Sequence, residues 1–294
     1  MNNYPLVSII TPTYNSHQFI EETINSLLNQ TYSNWELIIT DDCSSDDTWK
    51  ILNNYAEKDN RIKIFRLEQN SGAGIARNNS IKQSNGRFIA FCDSDDQWKP
   101  HKLMKQILFM IEKDSALSYS GYNVINEDGE DIGLVKVPEN VSYKSMLRND
   151  YIGCLTAIYD TDIVGKMYLP EIRKRQDWAL WLAILKITPQ ASGLQESLAI
   201  YRSRNQSISS NKFKVMKYIW IVYRKIERFS IIKSTYFFLT YIIHYFHKKS
   251  KLHHSVRPNS PPECSRSHEV QNQGLSVNDP ELQSQPMDSV EEQS

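Results

Sequence analysis

The chain has 294 residues, 40% of them hydrophobic and 11% aromatic, with 34 bases against 34 acids. That length and apolar share exclude a wholly disordered chain, and a net charge of zero excludes a uniformly basic nucleic-acid binder. The four cysteines, at 43, 92, 154 and 264, form no C-x-x-C pair, which excludes a zinc ribbon.

Taken in chain order, "LVSIIT" at 6–11 reads as a buried strand, and residues 19–29 carry apolar side chains at helical spacing. "WELIIT" at 35–40 is a second strand. "DDTWKILNNYAEK" is a second helix, started by Asp46 or Asp47. "IKIFRL" at 62–67, "AGIARNNSIKQS" and "RFIAFC" continue the alternation as strand, helix and strand. Short apolar strands separated by helices imply βαβ units and a mostly parallel sheet buried on both faces. Beyond residue 100 the pattern is more mixed. A helix at 102–114 precedes strands at 116–126 and 132–137, joined by the turn "EDGED". "CLTAIYD" reads as a strand, "QDWALWLAILKI" as a helix and "SLAIYR" as a final strand. The N-terminus lacks a basic stretch followed by an apolar one, so no signal peptide is expected and a reducing cytosol is the natural compartment.

In an open parallel sheet, functional groups lie beyond the carboxyl ends of the strands. That rule places the loop Thr11–Asn15, the pair Asp41-Asp42 and the cluster Asp93, Asp95, Asp96 along one edge. Three carboxylates in four positions repel one another unless a cation sits among them. Alone, such a cluster could be a helix cap or a solvated turn. With Asp41, Asp42, Arg77 and Asp177 on the same expected edge, it suits Mg²⁺ or Mn²⁺ bridging to a nucleotide diphosphate. "GAGIA" at 72–76 also matches the G-x-G-x-x-A fingerprint of dinucleotide oxidoreductases. That reading leaves Asp95, Asp96 and Asp177 without a task, and the turn follows the third strand, not the first. A membrane-bound, non-catalytic scaffold is the other alternative.

The stretches "VSIITPTYN", "LIITDDCSSDDT", "SGAGIARNNSI", "GRFIAFCDSDDQWKP" and "RKRQDWALWLAIL", in that order, resemble family-2 glycosyltransferases with the GT-A fold. The resemblance covers about residues 5–205. It implies a nucleotide-diphospho-sugar transferase, Rossmann-like α/β fold in which a mostly parallel sheet is flanked by helices. It implies a catalytic domain over 1–205, with a nucleotide-binding half to about 98 and an acceptor half beyond. By the same resemblance, Thr11, Tyr14 and Asp42, with Asp41 beside it, hold the nucleobase and ribose. Arg77 reaches toward the nucleotide. The D-x-D element, Asp93 and Asp95 with Asp96 adjoining, holds ribose and metal, the ligand being Asp95 or Asp96. Asp177 is the catalytic base, in a Gln176-Asp177 pair where many relatives carry Glu-Asp. Arg202 and Arg204 face the diphosphate. The implied donor is a UDP-sugar, the implied acceptor a saccharide or lipid-linked saccharide of bacterial surface-polysaccharide synthesis. One base and no candidate carboxylate nucleophile suit a single inverting displacement.

The charge is unevenly spread. Residues 1–201 hold twenty bases and twenty-six acids, 202–254 hold twelve bases and the single acid Glu227, and 255–294 hold two arginines and seven acids. Residues 206–252 therefore read as basic, aromatic, C-terminal helices. Their apolar run, 234–246, is too short to span a bilayer, so the expectation is peripheral contact with the inner face of the membrane or packing on the catalytic domain. The Pro/Ser/Gln/Glu-rich segment 253–294 is expected to be disordered.

Overall fold

The structure, a computed structural model, describes residues 4–204 and 212–255, with side chains over 4–204 and 215–244. The first half is β1 (Val7–Thr13), α1 (Ile20–Leu28), β2 (Trp35–Asp41), α2 (Thr48–Lys58), β3 (Ile62–Arg66), α3 (Ala73–Gln83) and β4 (Phe88–Phe91). Strands β3, β2, β1 and β4 lie side by side and all pair in parallel. Every residue of β1, β2 and β4 is buried, which is why their sequences are continuous apolar runs rather than alternations. Crossovers through α1, α2 and α3 cover the two faces, and a separate hydrophobic core fills each side. Helix α2 starts where expected: Asp46 accepts the Thr48 N–H at 3.0 Å and contacts His17 Nδ1 at 2.6 Å, whereas Asp47 makes no capping bond. Hydrogen bonds from Thr48 and His17 overcome the effect of burial and hold the Asp46 carboxyl down at about 2.

The second half is β5 (Gln97–Trp98), α4 (Lys102–Lys113), β6 (Leu117–Ile125), β7 (Asp131–Val135), β8 (Asn140–Val141), α5 (Tyr143–Met146), β9 (Ile158–Asp160), α6 (Thr161–Val164), α7 (Gln176–Ile184) and β10 (Ala191–Arg202). The sheet continues β4-β9-β6-β10-β5, with β7 on β6 and β8 on β10. Here β10 pairs in parallel with β6, so parallel pairing still predominates, but antiparallel strands enter the sheet. Strand β9 runs antiparallel to both β4 and β6, and β5, β7 and β8 are antiparallel as well, so the complete sheet is mixed. Residues 154–156 form a 3₁₀ turn rather than the start of a strand. β10 begins six residues before the expected "SLAIYR" and carries a bulge between Leu194 and Ala199. Its first half, "ASGLQE", offers no apolar alternation to read, and its register is imposed by β6 and β8.

The C-terminal helices are α8 (Lys212–Ile221), continued by a π-helical turn at Val222–Ile226, and α9 (Ile231–Ser255). They pack on α7: the Trp178 ring meets Tyr223 edge-on at 5.5 Å and Tyr241 at 5.5 Å. Trp178 and Trp181 are both core residues, fully buried. Helix α9 extends to Ser255, so the segment expected to be disordered from 253 begins inside a helix; its remainder lies outside the described residues.

One buried charge has a measurable consequence. Lys102, at the start of α4, is fully buried, donates to Gln106 Oε1 at 2.7 Å and lies 4.3 Å from the Trp98 ring centroid. Burial pushes its pKa from 10.5 down to about 7. The unfolded chain then binds the extra proton between about pH 7 and 10.5, so this group adds stability as pH rises through that window. Denaturant titrations should show the wild-type chain gaining about 2 kcal/mol on Lys102→Met between pH 7 and 9. A difference independent of pH would show that Lys102 titrates normally.

Candidate active site

The site is built on the carboxyl ends of the parallel strands, where chain turns meet. Asn15, left-handed at φ 47°, ends the β1 loop; its N–H donates to Ser44 Oγ at 2.9 Å and its Oδ1 accepts from the Ser45 N–H at 2.9 Å. Ser16 donates from its N–H to Thr48 Oγ1 at 2.8 Å and shares a hydroxyl–hydroxyl bond of 2.8 Å with Ser94. The loops after β1, β2 and β4 are thus tied into one rim. Thr11 lies buried inside β1 with no partner for its hydroxyl, while Tyr14 projects from the loop, 48% exposed. Asp41 is wholly buried, accepts from the Ser44 N–H and hydroxyl, and pairs with Arg66 at 3.3 Å. Asp42 accepts the Ser71 and Gly72 N–H groups, each at 2.7 Å, one on each carboxylate oxygen. It therefore fixes the turn that opens α3, where Gly72 takes φ 96°, a conformation open to glycine.

The acid cluster after β4 is met by cations from two separate segments, α3 and the end of β10. Arg77 of α3, 7% exposed, pairs with Asp93 at 2.5 Å, and its Nε has no partner. Burial opposes the Arg77 charge, but Asp93, Cys154 and Asp177 override it and raise the pKa. Arg204, after β10, pairs with Asp95 at 3.2 Å. Asp96 is buried and its Oδ1 accepts the Arg202 backbone N–H at 3.0 Å, anchoring the end of β10. The Arg202 guanidinium donates to the Asp95 carbonyl at 3.3 Å, to the Glu127 carbonyl at 3.1 Å and to Glu22 at 2.5 Å. Both late arginines stack over Phe19, at 4.8 and 5.0 Å. These cations do not fully compensate the acids. Burial and the Asp93 charge push Asp95 up, and burial with Asp95 and Asp93 pushes Asp96 well up.

Asp177 lies in the first turn of α7, half-buried, and accepts no hydrogen bond from the described residues. The residue before that helix, Arg175, is left-handed at φ 63° and is held there by a 2.8 Å pair with Asp150. Such a conformation costs a non-glycine residue about 1 kcal/mol and persists only where contacts enforce it. Burial opposes the Arg175 charge as well; Tyr241, Asp150 and Asp177 hold its pKa up. The loop entering α7 is clipped to α3, because Asn78 Nδ2 donates to the Leu169 carbonyl at 2.9 Å and Asn78 Oδ1 accepts from the Leu169 N–H at 2.8 Å. Between them is a cleft of about 260 Å³ lined by Gly72, Gly74, Asn78, Ile172 and Gln176. A Cβ on Gly74 would stand 2.3 Å from Gln176 Oε1, the tip of a flexible side chain that would have to swing aside.

The structure thus brings Arg77, Asp93, Asp95, Asp96, Asp177, Arg202 and Arg204 into one charged cluster, with Thr11, Tyr14, Asp41 and Asp42 at the neighbouring strand ends. Sequence reasoning missed Glu22 and Phe19 of the α1 region, which seat the late arginines, and Cys154, which lies close enough to Arg77 and Asp177 to feel both charges. Glu22 reads in sequence as an ordinary first-turn helix acid, and nothing local marks its partner 180 residues away. Among the described residues, no three His, Cys, Asp or Glu side chains form a ready-made metal cage. A Mg²⁺-type ion does not need one, since one or two carboxylates plus phosphate oxygens suffice. Asp95, part-exposed and pushed up by burial and the Asp93 charge, fits that donor set, with the part-exposed Asp93 beside it; Asp96, spent on the β10 backbone, fits it less.

A sheet with a parallel first half, flanking helices and an acid cluster at its carboxyl edge is the GT-A arrangement of sugar-nucleotide transferases. The chain belongs to glycosyl transferase family 2, whose model matches residues 8–171. It is 47% identical over 243 residues to a Bacillus subtilis protein named as the teichuronic acid biosynthesis glycosyltransferase TuaG, covering 82% of this chain and 96% of that one. It is 40% identical over 245 residues to Escherichia coli WfgD, named as a UDP-Glc:α-D-GlcNAc-diphosphoundecaprenol β-1,3-glucosyltransferase, covering 83% and 94%. Staphylococcus aureus TarS 1–349 in complex with UDP-GlcNAc superposes with a TM-score of 0.63 at 25% identity, over 82% of this chain and 72% of that one. The protein is therefore a GT-A glycosyltransferase, and the oxidoreductase reading of residues 72–76 is set aside.

Proposed function

We propose that this enzyme transfers a sugar, with inversion, from a UDP-sugar to a lipid-linked saccharide in bacterial surface-polysaccharide assembly, working as a peripheral protein on the cytoplasmic face of the membrane. The observation that carries the mechanism is the state of the four acids around Arg77. Asp93, Asp95 and Asp96 are each engaged by a cation or a backbone N–H, while the Asp177 carboxylate accepts no hydrogen bond from the described residues and meets Arg77 and Arg175 only through their charge. A half-buried carboxylate with its lone pairs open beside a cationic pocket suits a general base. In this reading Asp177 takes the proton of the acceptor hydroxyl as that oxygen bonds to C1 of the donor sugar. The C1–O bond to the diphosphate breaks on the opposite face, and Arg77, Arg202 and Arg204 balance the charge that the leaving UDP acquires. Thr11, Tyr14, Asp41 and Asp42 hold the nucleobase and ribose, with Asp42 doing so through the Ser71–Gly72 turn that it fixes. Asp95, supported by Asp93, would hold Mn²⁺ or Mg²⁺. When bound, that ion supplies positive charge to the diphosphate oxygens.

Support for the donor and acceptor classes comes from the relatives: the TarS complex contains UDP-GlcNAc, and WfgD is named for a diphosphoundecaprenol-linked acceptor. The test is incubation of the full chain with radiolabelled UDP-Glc or UDP-GlcNAc, Mn²⁺ and a GlcNAc-diphospho-lipid, with the anomeric configuration of the product read by NMR. Inverted product is expected. Retained configuration would overturn the single displacement, and absence of transfer with every donor and acceptor would favour the non-catalytic scaffold.

A further inference from the structure

The outer face of α9 is left uncovered in a way that specifies its partner. The helix buries Ser234, Phe237 and Tyr241 against the domain. On the opposite side, Ile232 is 85% exposed, and Tyr236, Leu239 and Ile243 follow it at spacings of four, three and four, with Ile231 alongside at 65%. Five of the fourteen large hydrophobic side chains exposed among the described residues therefore fall within 13 positions of one helix. Over Ile232–Ile243 the stripe is about 16 Å long, at 1.5 Å per residue. Its surroundings carry charge of one sign. Lys217, Lys225, Arg228 and Lys233 are exposed, and residues 202–254 contain twelve bases and one acid. That acid, Glu227, has a side chain only 1% exposed and is bound by the Tyr143 hydroxyl and by Lys186 at 2.8 Å, so it does not reach the surface.

We infer that this stripe is a docking surface for an anionic lipid bilayer, with α9 lying in the plane of the headgroups. The proposal deepens the membrane-contact part of the reading above and rests on that part alone, not on the transfer chemistry. An apolar stripe on a segment whose exposed charges, among residues 215–244, are all cationic matches an interface whose outer layer is negative and whose inner layer is hydrocarbon. No described helix is long and apolar enough to cross a membrane, which leaves the in-plane arrangement. A water-soluble acidic protein would match the cations but not four aliphatic side chains facing outward without polar partners. The placement also has a mechanical consequence. Tyr241, on the buried side of α9, touches Trp178 at 5.5 Å and lies 5.9 Å from Arg175, the two residues that bracket Gln176 and Asp177. Docking α9 therefore positions the first turn of α7, and the Asp177 it carries, at a fixed depth from the lipid surface.

The test is vesicle flotation of the full chain with phosphatidylcholine vesicles containing about 30 mol% phosphatidylglycerol, and with pure phosphatidylcholine. The wild-type chain is expected to float with the anionic vesicles and to stay behind with the neutral ones. The double variant Ile232→Glu, Leu239→Glu should bind the anionic vesicles about tenfold more weakly or not at all. Both positions face solvent, so its melting temperature should match the wild type. Wild-type chain that does not float, or a double variant that floats equally well, would overturn the proposal. So would light scattering showing that the stripe is closed by a second copy, with the dimer dissociating in the double variant. Transfer to a short soluble acceptor reads the chemistry separately, and the double variant should retain it.

Discussion

Asp177→Asn should leave the affinity for UDP-sugar within about twofold and lower kcat by about 10² to 10⁴, the range that a general base contributes. The expectation follows from how the residue is held. Its helix is oriented by the left-handed Arg175, by the Arg175–Asp150 pair and by the Asn78 clip to α3, none of which uses the Asp177 carboxylate. Asparagine has the same shape and keeps the helix start, yet cannot accept the proton. The nucleotide contacts proposed for Thr11, Tyr14, Asp42 and Arg77 lie on other elements and should persist. Calorimetric titration with the UDP-sugar and single-turnover transfer separate the two quantities. If affinity and rate fall together, Asp177 supports the donor site and the base must be sought elsewhere.

Asp95→Ala should abolish the metal-dependent part of nucleotide stabilisation while costing the unliganded protein little. In the unliganded chain Asp95 makes one partly exposed ion pair, with Arg204, and such pairs contribute about 0–1 kcal/mol. With UDP and Mn²⁺ at about one hundred times the dissociation constant, the wild type should gain about 2.7 kcal/mol, several degrees in Tm. The variant should show UDP stabilisation that no longer responds to Mn²⁺. Asp96→Ala is the internal contrast. It removes the buried acceptor of the Arg202 N–H, which should destabilise the unliganded fold by about 1–3 kcal/mol while the Mn²⁺ response persists. The reverse pattern would move the metal ligand to Asp96.

Much of the fold was legible because β1, β2 and β4 are buried along their whole length, so each is a mainly apolar run closed by polar turn residues. The gathering of the candidate acids was legible for the same reason: a parallel sheet exports its loops to one edge, and the acids at 41, 42, 93, 95 and 96 all end strands or follow them. The second half was less legible. Strand β9 is three residues long and takes its antiparallel direction from β4 and β6, not from its own sequence, and the polar start of β10 is a strand because β6 and β8 supply its hydrogen bonds.

By itself, then, the sequence determined the α/β class and the sheet edge where the acids and arginines proposed for the chemistry gather, since strand periodicity and residue type fix both. Only the tertiary structure decided how the acids divide the work. Asp96 accepts the Arg202 N–H of β10, Asp95 lies part-exposed beside Arg204, and Asp177 accepts no hydrogen bond from the described residues. The physical reason is that a carboxylate's role depends on burial and on the donors that reach it, and those donors arrive from residues up to 180 positions distant.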